Sequence, residues 1–329
     1  MALIAQILLP FFGGFAALLA AGMGRDRERW TTIAVMGATL AVLLLGVLFG
    51  DDGRWLAFYR ADWAPSFGIQ VLLAMDGLSA AMLAISAGLG MICVFISWHV
   101  THRSALFHAA ICWTVAAANG VFLSFDLLIF AFFWELMIVP AFLLIALWGH
   151  GDREAAAIKF LVFNAVAGLG LLAAVFWMGA TSDPITFDAF VLAQSDYSET
   201  AQILLLLGFA LAFMVKLPVP PFHAWLPDAH TQAPTAGSVL LAGLLLKTGA
   251  YGLFRFPPML FPDGLVTLAP WGMALGAFGV VYGAILACGQ TDAKRLVAYT
   301  SIAHMSIVLM GVCGGVHFAL IGAGVEMIA

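Results

Sequence analysis

The sequence predicts an all-α polytopic membrane protein, and two observations carry that prediction. Of the 329 residues, 64% are hydrophobic and only 9% are charged, whereas a soluble domain carries about 25% charged residues. The apolar residues also fall into runs near the roughly 20 residues that cross a bilayer as a helix. Ten full runs stand out, at about 2–22, 31–50, 74–98, 104–124, 126–148, 156–180, 201–230, 236–256, 266–289 and 295–314. An eleventh begins near Val316 and is still running at Ala329.

Each element follows in chain order. The first run starts at the initiator, with no basic region before it and no small-residue cleavage pattern after it, so it reads as a span and not a leader. The longest polar connections are 51–70 and 181–200. The second holds Asp183, Asp188, Asp196 and Glu199 and no basic residue. The run 201–230 is interrupted by prolines. No segment is low in complexity, and no stretch is long enough to fold alone as a soluble domain. The chain stops at Glu326-Met327-Ile328-Ala329 with no polar tail. A helix end inside hydrocarbon leaves carbonyls unpaired, so a truncation is expected, or a further segment or partner covering this end.

Orientation follows from the Lys and Arg of the connections. One alternate set holds eight: Arg25, Arg27, Arg29, Arg103, Arg153, Lys159, Lys294 and Arg295. The other holds three: Arg54, Arg60 and Arg255. The imbalance places the first loop in the cytoplasm and the N-terminus outside. The net charge of -5 adds little. Cys93, Cys112, Cys288 and Cys313 lie inside apolar runs without metal-ligand spacing and read as small hydrophobes.

Ionisable residues within spans carry the functional signal, since each charge there costs about 2.5–3.5 kcal/mol on insertion scales. Glu135, Lys216, Lys247 and His304 sit deep in full runs, and Glu326 lies in the eleventh. Glu135 is near the middle of the fifth run and is expected to face a partner or water. Lys216 heads Lys216-Leu217-Pro218-Val219-Pro220-Pro221-Phe222. Each proline lacks an N–H and clashes with the carbonyl four residues back, so Pro218, Pro220 and Pro221 free the carbonyls of Met214, Lys216 and Leu217. The helix must break there, and such a break is tolerated in a bilayer only in a cavity or within protein. Burial lowers and a carboxylate raises a lysine's proton affinity, which suits lysine, unlike arginine, to carry protons. Lys247 is mid-span between Gly243 and Gly249, which admit a close neighbouring helix. His304 follows hydroxyls at 299–301 and suits a proton relay. The structural alternatives are an ion pair at Glu135, a proline kink with a snorkelling Lys216 and a hydrogen-bonded structural His304.

His223, Asp228 and His230 lie in a proline-rich stretch but lack a fourth ligand or a recognised spacing. No metal is expected there. These residues are expected to line an aqueous cavity or cap helix ends. No phosphate loop, cofactor fingerprint or redox cysteine set is visible, so no cofactor is expected in this chain and its driving energy must come from elsewhere. Ten tryptophans and many phenylalanines fit a lipid bilayer and its interfaces, and no nucleic-acid partner is expected.

These residues carry a resemblance. The stretches are 124–127; Trp134-Glu135-Leu136-Met137-Ile138-Val139-Pro140; Val215-Lys216-Leu217-Pro218; 225–239, opening Trp225-Leu226-Pro227-Asp228-Ala229-His230; Leu246-Lys247-Thr248-Gly249-Ala250-Tyr251-Gly252; and 290–301 with His304-Met305. Together they resemble the M-type, antiporter-like subunits of bacterial NADH:quinone oxidoreductase (complex I). That group shares ancestry with multisubunit sodium/proton antiporters and membrane-bound hydrogenases.

The resemblance implies a proton-translocating subunit in the bacterial inner membrane, working beside L-type and N-type antiporter-like subunits. FMN, iron–sulfur clusters and quinone would sit in partner subunits. Glu135 would pair with Lys216, Lys247 would be the mid-membrane relay, and His304 would continue the axis. The implied fold has two inverted five-helix repeats, each with one broken helix. This divides the chain into helices 1–3 over 1–103, a first repeat over 104–256 broken near 217–222, and the start of a second over 257–329. The family's next polar residue, a histidine, falls just beyond position 329. The competing expectations are a sodium/proton antiporter subunit, a hydrogenase membrane subunit and a non-conducting scaffold.

Overall fold

A computed structural model describes residues 1–24, 26–50 and 53–328. Arg25, counted among the basic residues above, and Ala329 lie outside the described residues. Among the described residues the chain is helical apart from one β-hairpin. Its elements are α1 (Ala2–Ala20), α2 (Arg27–Leu48), β1 (Ala57–Ala64), β2 (Ile69–Met75), α3 (Gly77–Ile96), α4 (Ser104–Leu123), α5 (Leu127–Leu136), α6 (Ile138–Trp148), α7 (Arg153–Thr181) and α8 (Ala189–Leu192). There follow α9 (Glu199–Lys216), α10 (Leu226–Gln232), α11 (Thr235–Leu240), a π-helical turn (Leu241–Leu245), α12 (Leu246–Leu260), α13 (Pro262–Cys288), α14 (Ala293–Gly314) and α15 (His317–Ile328). Among the described residues ten helices, counting kinked ones as single spans, are long and apolar enough to cross a membrane. They coincide with the ten runs. This is a multi-pass membrane protein, because only helices that satisfy their own backbone survive in hydrocarbon.

The packing divides into two units. The first comprises Met1–His150 and Ala233–Leu244. α4 is its centre: every residue from Phe107 to Leu123 except Trp113 is buried, and α1, α2, α3, α5 and α6 pack on it. The connection 51–70, read above only as polar, contains most of an antiparallel β1–β2 hairpin. Its inner face joins a cluster of Leu3, Ile7, Leu43, Leu83 and Leu123 through Leu73 and Met75. The Phe125 N–H donates to the Leu72 carbonyl at 2.9 Å, and Asp126 accepts from Gln70 N at 3.0 Å while capping α5 through Leu128 N and Ile129 N. The fifth run is kinked at Met137, between α5 and α6. Pro140 cannot donate to the Leu136 carbonyl, which opens the ladder there.

The second unit comprises Gly151–Gln232 and Leu245 onward. Polar side chains start its helices: Ser198 caps α9 and Asp292 caps α14, and Pro262 opens α13. α13 and α14 lie close along a glycine seam. A β-carbon at Gly276 would fall 2.9 Å from the Ser306 carbonyl, and one at Gly283 would fall 2.8 Å from Ala303 N. Only glycine permits this spacing, as at other small-residue membrane interfaces. Gly315, with φ +65°, turns the chain from α14 into α15.

Candidate functional site

The second unit gathers most of the ionisable residues singled out above. α9 ends at Lys216, which is 1% exposed and does not snorkel to an interface. Beyond it the chain leaves helical geometry until Leu226, where α10 resumes. Pro218 and Pro220 are buried and Pro221 is exposed. The break is longer than the stretch 217–222 and more fully bonded than its prolines alone suggest. The carbonyl of Met214, expected to be free, accepts from Val219 N at 3.0 Å. The Val215 carbonyl accepts from the buried indole of Trp225 at 2.8 Å. Leu217 N donates to Phe213 O at 2.7 Å, and Phe222 N to Val219 O at 2.7 Å. The break is thus a tied loop, consistent with the high cost of orphan backbone groups in a membrane.

α12 brings the second lysine to this loop. A β-carbon at Gly249 would lie 2.8 Å from Leu217 N and 3.0 Å from the Lys216 β-carbon. Lys247, two residues away and half-buried, therefore stands on the helix that presses against the Lys216 corner. From the other side, a β-carbon at Gly279 of α13 would lie 3.1 Å from Pro220 Cδ. α14 supplies His304, halfway along its span. The His304 Nδ1 lies 2.5 Å from Glu326 Oε1 of α15. Glu326 is also the carboxylate whose charge reaches Lys247. Residue type alone gave no sign of that bond, because α14 and α15 must first turn back on each other at Gly315.

The proline-rich stretch forms a separate polar end. His223 is partly buried with its ring edge-on to Tyr282, centroids 5.2 Å apart, and its Nδ1 has no hydrogen-bond partner among the described residues. His230 is buried on α10. Asp228 accepts from Lys159 Nζ at 2.7 Å and from Arg295 at 3.3 Å, so it ties α10 to the second turn of α7 and the first turn of α14. All three side chains are about 36–48% exposed, and pairs this exposed contribute about 0–1 kcal/mol each. Among the described residues no three His, Cys, Asp or Glu side chains are grouped to hold a metal ion. Glu135 belongs to the first unit, partly buried at the end of α5 beside the Met137 kink.

Chemically, this arrangement offers a buried amine at Lys216, a half-buried one at Lys247 and an imidazole–carboxylate pair, each able to bind or release one proton.

Comparison with known proteins fits this reading. Residues 124–329 match the family model described as NADH:quinone oxidoreductase/Mrp antiporter, TM. The NADH-quinone oxidoreductase subunit M of Pseudomonas aeruginosa is 44% identical over 98% of this chain and 67% of its own length. A chain of respiratory complex I from Thermus thermophilus with bound NADH superposes with a TM-score of 0.90 at 30% identity, covering 100% of this chain and 68% of that one. A chain of the Mrp complex from a Dietzia species superposes with a TM-score of 0.84 at 25% identity, covering 100% of this chain and 36% of that one.

Proposed function

Because the chain belongs to the NADH:quinone oxidoreductase/Mrp antiporter family of membrane subunits, we propose that it is a proton-translocating subunit of a redox-driven NADH:quinone oxidoreductase. It has no redox chemistry of its own. FMN, iron–sulfur clusters and quinone belong to partner subunits, and its neighbours in the membrane are L-type and N-type antiporter-like subunits. It resides in the bacterial inner membrane with its N-terminus outside. Its two repeats begin near 104 and 257.

Protons move along Glu135, Lys216, Lys247 and His304. Glu135 supplies the counter-charge that sets the proton affinity of Lys216, Lys247 relays at mid-membrane, and His304 carries the line onward. Pro218, Pro220 and Pro221 keep the helix open at the relay, and His223, Asp228 and His230 line the cavity behind it. The observation that carries the reading is the burial of Lys216 at a broken helix, with the helix of Lys247 pressed against it. A buried amine in low dielectric releases its proton far more readily than one in water, and transporters place ion sites at broken helices.

The test is Lys216→Arg in the assembled complex. Arginine keeps the charge but does not deprotonate in proteins. NADH-driven acidification of vesicles is expected to fall nearly as far as in Lys216→Ala, with assembly intact. Full pumping by Lys216→Arg would leave Lys216 as a structural cation. The likeness to the Mrp complex favours one alternative, a cation/proton antiporter subunit. Sodium-dependent acidification in vesicles given no NADH would select it.

A further inference from the structure

We propose that Glu326 is a proton-exchanging member of this relay, standing between Lys247 and His304. The proposal rests on the reading of the chain as a proton carrier and adds a residue to it. Every other acidic residue of the second unit stands in a connection, at an N-cap or in a first helical turn. Glu326 instead meets His304 at the twelfth position of the 22-residue α14. Of the basic residues singled out in this unit, Lys247 is half-buried and His304 is exposed at mid-helix, and Glu326 is the acid placed on the helix that packs against both of theirs. A cation left alone at that depth costs several kcal/mol.

The local packing is built to hold the pair. α15 runs back along α14 with Gly311 facing Ala323, where a β-carbon would stand 2.5 Å from the alanine's own. The same helix reaches α12, since a β-carbon at Gly324 would lie 3.9 Å from the Phe254 ring. α15 thus rests on the helices of both Lys247 and His304.

At 2.5 Å the Nδ1–Oε1 separation is shorter than an ordinary charge-assisted N–H···O bond. A proton crossing that gap converts an ion pair into a neutral pair without changing its net charge. The step therefore avoids most of the desolvation cost that a lone charge would meet. The Nζ–H bond of the Lys247 ammonium breaks and the proton binds the Glu326 carboxylate, leaving a neutral amine and a neutral acid. The Oε–H proton then passes to His304 Nδ1, and an equivalent proton leaves from Nε2 on the far side of the ring. His304 is then the Nδ1–H tautomer, so a flip of its ring or an exchange of tautomers, together with a new proton on Lys247, resets the line.

Glutamine at 326 keeps the shape and an acceptor for the imidazole N–H but cannot titrate. In the complete complex, E326Q is expected to lose most of its NADH-driven acidification while subunit content and NADH oxidation by an artificial acceptor stay unchanged. E326D, which titrates on a shorter arm, is expected to keep part of it and to show a larger solvent deuterium effect on the pumping rate than wild type. Wild-type pumping by E326Q overturns the proposal and leaves the pair as a structural hydrogen bond. Should E326Q fail to assemble, E326D with wild-type rate and isotope effect overturns it instead. Lys247→Ala in the same series separates the two levels. Full pumping by that variant contradicts the relay reading as a whole. Impaired pumping there beside a normal E326Q removes Glu326 alone.

Discussion

Gly249 is the position where packing at the Lys216 corner is most exposed to test. An alanine methyl there would fall 2.8 Å from Leu217 N, 3.0 Å from Lys216 Cβ and 3.0 Å from Phe213 O. Two of these atoms are backbone and the third is a β-carbon, so none swings aside. Overpacking of this kind costs about 1–3 kcal/mol, while replacing glycine by alanine in a helix interior returns about 0.8–1.0 kcal/mol. The net change for Gly249→Ala is then about 0–2 kcal/mol, small for the assembled protein. The strain is relieved by moving the Lys216 corner, so function is expected to suffer before stability does. Gly249→Val adds two further methyls and forfeits most of the propensity gain through its stiff branched side chain. Acidification normalised to assembled complex is expected to fall in the order wild type, Ala, Val, with a lowered denaturation temperature only for Val. A Val variant with wild-type pumping and an unchanged denaturation temperature would refute the packing argument.

Two further outcomes follow from the same description. If Glu135 is the counter-charge proposed for Lys216, removing it costs about 3–5 kcal/mol, so Glu135→Ala is expected to abolish redox-coupled pumping in the assembled complex, and normal proton stoichiometry there would rule out that pairing. For topology, cysteines at the exposed positions Glu154 and Asp196 are expected to react with an impermeant reagent from the cytoplasm and from outside, respectively. Asp188, in the same connection as Asp196, is unsuitable, since it is 1% exposed and caps α8. Labelling with the opposite sidedness would reverse the orientation.

The spans were legible because hydrocarbon imposes one rule, long apolar stretches with satisfied backbones, and the sequence obeys it in ten places. The break after Lys216 was legible because prolines leave no other choice. What ties the break together was not, since Trp225 reaching Val215 O and Val219 reaching Met214 O depend on the loop's path and not on residue type. The hairpin was missed for a different reason. Phe58, Arg60 and Asp62 alternate with smaller or aromatic neighbours, but the stretch is short beside the spans, and its partner strand runs into the apolar run that begins near 74. The π-helical turn at Leu241–Leu245, just before Lys247, adds one residue to a helical circuit and has no compositional mark beyond Gly243. The four candidate ionisable residues stood out in the sequence by the cost of a charge in lipid. The contact of His304 with Glu326 appeared only once α14 and α15 were folded against each other.

The number of protons moved per NADH oxidised, measured in sealed vesicles for the complex carrying Lys247→Ala and for wild type, bears most directly on proton passage through this chain. Lys247 is half-buried at mid-span, on the helix that abuts the Lys216 corner. The expected result is a lower proton-to-NADH ratio at equal subunit content, with oxidation of NADH by an artificial acceptor retained. An unchanged ratio would contradict proton passage through this line.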